Sequence, residues 1–235
     1  MISVKVRADW RKLIMANYVI DPDRLLSLVP KKTQLDFWDN QCYISLVGFM
    51  FDHSQLNGIP IPFHQSFEEV NLRFYVLRKE DEKFKRGVVF IREFVPKVAV
   101  TTIANSLFHE HYETIRMKHE WKIGDQEQTI NYSWKKNKWH SLQIKTDLKK
   151  HALLPGSMEE FFTEHYWGYT QKNGDTVEYF VAHDAWEVYD TLSYKVDVDF
   201  EMCYGKAFAF LNQQAPASVF LAEGSKISLQ KNEEW

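Results

Sequence analysis

The sequence predicts a mainly β, β-rich α+β protein, a barrel or a double sheet with a few short helices. Three observations carry this reading. Residues 67–78 alternate apolar and polar side chains with period two, the signature of a strand with two unlike faces. Turn-forming pairs separate strand-like segments at spacings of about 8–12 residues, as in barrels and sandwiches. Aromatic residues make up 15% of the chain, which suits broad sheets and pocket walls. A sheet of about ten strands must curl or close on itself to protect its edges.

Taken in order, residues 13–20 are apolar and partly β-branched and read as a strand. Asp21-Pro22 then starts a short helix over 24–29, with Asp21 as N-cap and Pro22 at the first helical position. Residues 34–38 and 42–51 flank Asp39-Asn40, a pair that tolerates positive φ, and read as a hairpin. Residues 52–66 hold Gly58, Pro60 and Pro62 and read as a long loop, a surface excursion or a lid. The strand 67–78 and a second at 88–95 form the next hairpin, and 96–108 reads as a short helix on the sheet. Segments 112–123, 129–134 and 139–145 make a meander. Ser157 and Glu160 form a capping box that opens a short helix through Phe161, Phe162 and His165. Asn173-Gly174 closes a hairpin between 166–170 and 176–183. Residues 196–204 alternate again and read as a strand, and Glu223-Gly224-Ser225 turns the chain within the last strands, 218–229.

Apolar residues form 45% and charged residues 26% of 235, the balance of a globular protein rather than a disordered one. No linker or compositional shift interrupts the chain, so residues 1–235 read as one domain. Lys and Arg number 29 against 32 Asp and Glu, with a net charge of −3. Nucleic-acid binders carry a basic excess, so no nucleic acid is expected as a partner. No apolar run approaches the ~20 residues that span a bilayer, so no membrane partner is expected. The first residues show no signal-peptide pattern, and Cys42 and Cys203 alone make no disulfide framework. The expectation is a cytoplasmic protein with reduced thiols, Cys42 being a buried, inert one.

Gly-rich phosphate loops, nucleophile elbows, Cys-x-x-Cys and His-Glu-x-x-His are all absent, and no cofactor is expected. Two constellations remain. Glu69, Asn71, Arg73 and Tyr75 share one face of the 67–78 strand, opposite Val70, Leu72, Phe74 and Val76. Alternation by itself points to a solvated outer surface over an apolar core. In a barrel the same face turns inward, where an Arg beside a Glu orients a carboxylate or carbonyl ligand and burial raises the carboxyl pKa. His109, His111 and Glu113 would share a face of a strand and could ligate a metal, but the glycine frame and spacing of a cupin site are missing and no metal is expected. His183-Asp184-Ala185-Trp186 reads as a strand end with a buried Trp or as a pocket rim.

Several segments together resemble the YqjF-like family of uncharacterised bacterial proteins. They are Ala16-Asn17-Tyr18, Asp21-Pro22 with Leu25, residues 43–47, residues 67–76, Gly87-Val88-Val89-Phe90, residues 164–169, His183-Asp184-Ala185-Trp186 and Ala222-Glu223-Gly224-Ser225. They run in order through nearly the whole chain. The family is similar to a branch of the acetoacetate-decarboxylase-like superfamily. The resemblance implies a single antiparallel β-barrel or double sheet around a small cavity, with the Glu69–Tyr75 face turned inward. The decarboxylase of that superfamily uses a Schiff-base lysine and pocket glutamates, and Glu69 matches one such glutamate. The lysine does not carry over. Its region falls near 104–112, where no Lys stands and where His111 and Tyr112 occupy the corresponding places, while Lys97 lies too early. Without that amine there is no imine to act as electron sink.

Two readings of function follow. One is a small-molecule cavity, enzymatic or sensory, for a small organic acid or carbonyl compound, lined by Glu69, Asn71, Arg73, Tyr75, His111 and Tyr112. The other is a non-catalytic module that binds a protein partner or completes a homo-oligomer through exposed aromatic residues. Burial of the 69–75 face discriminates between them.

Overall fold

A computed structural model describes residues 5–60 and 62–234. Sixteen strands among these residues join one hydrogen-bonded sheet. The strands that form its barrel are β1 (Lys5–Ile20), β4 (Gln41–Leu56), β6 (Phe67–Glu80), β7 (Lys83–Val95), β12 (Trp167–Lys172), β13 (Asp175–His183) and β16 (Lys226–Glu234). They run in the order β4-β6-β7-β12-β13-β16-β1, and β1 pairs back on β4, so the seven close a barrel. All these pairings are antiparallel except β7 with β12. The remaining long strands, β9 (Arg116–Ile123), β10 (Glu127–Lys136), β11 (Lys138–Ala152), β14 (Glu187–Asp197) and β15 (Ser218–Ala222), extend the sheet from β1 in the order β15-β14-β11-β10-β9.

One strand serves both parts because it bends. Along one edge, residues Lys5 to Asp9 of β1 pair with β16 and residues Leu13 to Asn17 pair with β15. Between them Lys12 adopts φ +52° and the register with β4 shifts. A β-bulge of this kind bends a strand and steepens its twist. The bend folds the extension over the barrel wall. Ile130, Tyr132 and Trp134 of β10 and Leu142 and Ile144 of β11 share one apolar core with Ile44 and Leu46 of β4 and Val70, Leu72 and Phe74 of β6. Both sides of the barrel wall are therefore covered at β6. Its apolar face packs outward under the second layer, and its polar face is left to line the barrel. That corrects the solvated outer surface which alternation suggests.

Turn chemistry explains most hairpins. Asp39 and Asn40 both have positive φ and join β3 (Phe37–Trp38) to β4, as type I′ geometry requires. Asn173 (φ +51°) and Gly174 (φ +89°) do the same between β12 and β13. The capping box holds in modified form. Ser157 Oγ accepts from Glu160 N at 3.1 Å and opens α2 (Met158–Thr163), but Glu160 Oε2 accepts from the Gly156 amide at 2.6 Å rather than from Ser157. This short helix carries Phe161 and Phe162 into one end of the barrel, with Phe162 against Tyr43 (5.2 Å between centroids) and both rings against Tyr75 (5.3 Å). Complete burial of one such ring contributes about 2–3 kcal/mol.

Several expectations are corrected. The strands outnumber the ten foreseen, because short pairings such as β2 (Gln34–Leu35), β5 (Ile59–Pro60) and β8 (Tyr112–Thr114) are invisible to periodicity. The helix foreseen at 24–29 is two 3₁₀ turns, Pro22–Arg24 and Leu26–Leu28, with Asp21 capping the first. Much of the 52–66 loop is hairpin, since β4 runs on to Leu56 and turns through Asn57-Gly58 into β5. Residues 196–204 are not one strand. β14 ends at Asp197, Asp199 then caps α3 (Phe200–Tyr204) by accepting from Met202 N, and Phe200, Cys203 and Tyr204 are buried at helical spacing. The helix foreseen at 96–108 is α1 (Val98–Leu107). Both cysteines are free and buried, and burial pushes the Cys42 thiol up to about 11.

Candidate functional site

The barrel interior is packed at the α2 end and hollow beside it. A cavity of about 60 Å³ is lined by Glu69, Asn71 and Arg73 of β6, by Glu93 of β7 and by Tyr112, His165 and Trp186, among others. One water needs about 10–15 Å³ on this measure, so a few water-sized groups fit. Phe51, Tyr112, Tyr179 and Leu229 also border a second cavity of about 110 Å³, whose far wall is apolar and includes Ile103 and Phe108 near the end of α1.

Three buried carboxyl groups belong to the region around these cavities. Glu69 is 2% exposed; its Oε1 accepts from Asn71 Nδ2 and its Oε2 from the Tyr112 hydroxyl, both at 2.9 Å. Glu110 Oε1 accepts from the Tyr179 hydroxyl at 2.7 Å. Glu93 is 1% exposed, and its Oε2 has no hydrogen-bond partner. Burial pushes Glu69 up to about 7 against the opposing pull of Asn71, Tyr112 and Arg73. Burial pushes Glu110 up to about 8, with the Glu69 charge adding to it. Burial, then the charges of Glu110 and Glu69, raise Glu93 well above the ordinary carboxylate range. Like charges this close titrate as a group. Near neutral pH the group therefore retains protons and offers O–H donors.

Arg73 is the cationic side chain of the first cavity's lining. It is 7% exposed, its Nη2 donates to Phe162 O at 3.2 Å, and its Nε has no partner. Its charge pulls the Glu69 pKa down, yet no carboxylate forms an ion pair with it among the described residues. Tyr75 shares the face but belongs to the packed end, where its hydroxyl donates to Ser45 Oγ at 2.7 Å.

The local structure explains why Glu93 and Glu110 join the site. The β6–β7 register shifts between Leu72 and Arg73: Asn71 pairs with Glu93 and Arg73 with Phe90, leaving one extra residue on β7. That bulge inverts the alternation, so Val88, Phe90 and Glu93 all line the first cavity. After α1, His109 adopts φ +58°, the left-handed position that ends many helices. The chain reverses there, Glu110 is buried, and β8 begins only at Tyr112, parallel to β7 with Tyr112 beside Glu93.

His109, His111 and Glu113 therefore do not form one strand face. Glu113 is ion-paired to Lys136, and among the described residues no three His, Cys, Asp or Glu side chains are grouped to hold a metal. Of the predicted site residues, the cavity lining leaves out Tyr75, which packs against Phe161 and Phe162, and His111. The His111 side chain is exposed, because its neighbour Tyr112 takes the inward position, and its carbonyl accepts from Glu93 N at 3.3 Å. His183 and Trp186 both line the cavity, their rings stacked at 4.4 Å with Trp186 buried, so pocket rim and buried Trp are the same feature. Gly168 faces Tyr179 directly across β12 and β13. A Cβ on Gly168 would lie 2.0 Å from the Tyr179 ring, so the missing side chain lets that ring lie flat and reach Glu110.

Sequence reasoning missed Glu93, Glu110, Tyr179 and His165 as site residues. A lone acid in the apolar run 88–95 is the signal for Glu93, and the histidine after the capped α2 is the signal for His165. His165 is 8% exposed and carries a second network. Its Nε2 lies 3.1 Å from Asp36 Oδ2, which also accepts from Arg86 Nε at 2.7 Å. Burial lowers the His165 pKa to about 4, so the ring is neutral. Hydrogen bonds from His165 and Arg86 outweigh burial at Asp36 and hold its carboxyl below its ordinary value.

The architecture is that of acetoacetate decarboxylase. Acetoacetate decarboxylase from Legionella pneumophila superposes with a TM-score of 0.63 at 12% identity, over 98% of this chain and 88% of that one. An acetoacetate decarboxylase-like enzyme from Sphingomonas wittichii RW1 gives 0.63 at 9% identity, over 99% and 92%. The enduracididine biosynthesis enzyme MppR, solved with pyruvate, gives 0.63 at 8% identity, over 99% and 89%. In sequence, the uncharacterized protein YqjF of Bacillus subtilis (strain 168) is 32% identical over 121 residues, and the match spans about half of each chain, 51% of this one and 48% of that one. The profile of DUF2071, described as an uncharacterized conserved protein, matches residues 7–226, and the chain belongs to that family.

Proposed function

We propose that this protein binds a small organic acid or carbonyl compound in the Arg73 cavity, and that it does so without Schiff-base decarboxylase chemistry. The buried Arg73 guanidinium, left without a carboxylate partner and with Nε unpaired, carries the reading. An unpaired buried ion costs several kcal/mol, and an anionic ligand supplies the missing charge. Arg suits a carboxylate because its planar fork matches two oxygens. The protonated carboxyl group of Glu69 would then donate to a second ligand oxygen. The size of the cavity fits a short acid, and MppR, of the same fold, was solved with pyruvate. The absence of imine chemistry is supported by the lining: no lysine borders either cavity among the described residues.

The test is a thermal-shift screen of short carboxylic and keto acids against the parent and Arg73→Met. A ligand at one hundred times its Kd stabilises by about 2.7 kcal/mol, or roughly 5–10 °C for a chain of this size. The parent is expected to show such a shift and Arg73→Met to lose it while remaining folded. Equal binding by the two proteins overturns the assignment.

A further inference from the structure

We propose that the His165–Asp36 pair is a built acceptor for a ligand hydroxyl, so that the cavity prefers a short hydroxy acid to the matching keto acid. The inference rests on the reading above, in which Arg73 takes the ligand carboxylate.

The geometry leads there in three steps. Asp36 Oδ2 lies 3.1 Å from His165 Nε2, and its second partner, Arg86, keeps Asp36 charged. A carboxylate at that distance holds the imidazole proton on Nε2. The neutral ring then carries its lone pair on Nδ1, and Nδ1 is buried without a partner. His165 belongs to the cavity wall, its ring held at 4.8 Å from Tyr75 and 5.1 Å from Phe161. Nδ1 is the polar atom this ring has left to offer. An acceptor buried in this way needs a donor.

Arg73 belongs to the same wall. Its Nη2 donates to Phe162 O at 3.2 Å, three residues before His165 in sequence, and Tyr75 lies two residues beyond it on β6. A ligand that offers a carboxylate to Arg73 and a neighbouring O–H to Nδ1 satisfies both orphaned groups. A keto acid presents a second acceptor to Nδ1 and leaves it unpaired. An amino acid brings an ammonium toward Arg73, where like charges repel.

The test uses matched trios of ligands: lactate, pyruvate and propionate, then 3-hydroxybutyrate, acetoacetate and butyrate. Calorimetric titration of the parent should show the hydroxy acid of at least one trio binding about tenfold or more tighter than its keto partner, since a site built for a hydroxyl discriminates against analogues that lack it. His165→Phe fills the same aromatic stack without the acceptor and leaves Asp36 paired to Arg86. It should bind hydroxy and keto acids equally. Equal binding within both trios by the parent, or a preference that survives in His165→Phe, overturns the inference and leaves the acid-binding reading intact. Failure of every acid to bind the parent overturns the reading itself, and the inference falls with it. Imidazole ¹⁵N spectra of the parent need no variant: Nδ1 of His165 should resonate as an unprotonated nitrogen, and a proton found on Nδ1 also overturns the inference.

Discussion

Tyr112 donates its hydroxyl to Glu69 Oε2 at 2.9 Å, across 43 residues of chain. The contact ties β8 to β6 and joins the wall shared by the two cavities to the carboxyl group expected to face a ligand. A hydrogen bond to a carboxylate favours its charged form.

Removing that bond has a signed consequence. Tyr112→Phe keeps the ring and deletes the donor, at a stability cost of about 1 kcal/mol. Glu69 loses an influence that lowers its pKa, so its titration midpoint should rise above the present value of about 7. Side-chain ¹³C shifts measured against pH report it. A midpoint that stays put or falls would show that Tyr112 does not tune Glu69.

Stability should decline from about pH 6.5 to about pH 8.5. Glu69 and Glu110 titrate near 7 and 8 in the fold, against an ordinary value of 4.5. The folded state then binds more protons than the unfolded one, and stability is lost as pH rises through the folded values. His165 has the opposite sign, but its effect ends near its unfolded value of 6.5. His119, raised by its contact with Glu68, adds to the decline, so a variant must isolate the carboxyl groups. Glu110→Gln should flatten part of the slope in thermal melts, and an unchanged slope in that variant would refute the assignment to the cluster.

Borohydride treatment in the presence of acetoacetate or pyruvate should leave every lysine unmodified, and acetoacetate should not be decarboxylated. Lys12, a buried lysine in the structure, is already held by Gln128, Tyr189 and Glu223 at 2.8–3.0 Å. A reduced adduct mapped by mass spectrometry to any lysine would overturn this expectation.

The chain should unfold in a single transition, as one domain. β1 pairs with β4, β15 and β16, which ties the first strand to the last and joins the barrel to the second layer. Calorimetric and van't Hoff enthalpies should agree. Two resolved transitions, one of them confined to β9, β10, β11 and β14, would instead mark the second layer as a separate unit.

The candidate site was legible in part. Glu69, Asn71 and Arg73 share a face by period-two spacing on one strand, Tyr75 shares that face but packs outside the cavity, and Tyr112 comes from the family resemblance. The other members come from elsewhere. Glu93 is 24 residues from Glu69 in sequence and enters through a bulge, while Glu110 is buried after a left-handed residue, His109, that no glycine announces. Asp36 and His165 meet across 129 residues. None of these approaches leaves a local pattern.

The sequence by itself determined the β-rich class, the Asp39-Asn40 and Asn173-Gly174 turns, the Ser157 cap and the two unlike faces of β6. These are set by φ preferences and side-chain spacing within a few residues, which any reading of the chain can reach. Only the tertiary structure decided which face of β6 looks inward. Either orientation satisfies the alternation, and the choice depends on what covers the apolar side. The bend at Lys12 brings Ile130, Tyr132 and Trp134 over Val70, Leu72 and Phe74, so burying the apolar face outward leaves Glu69 and Arg73 inside the barrel. Hydrophobic burial is non-directional and made by residues far apart in sequence, which is why the position of the charges had to wait for the fold.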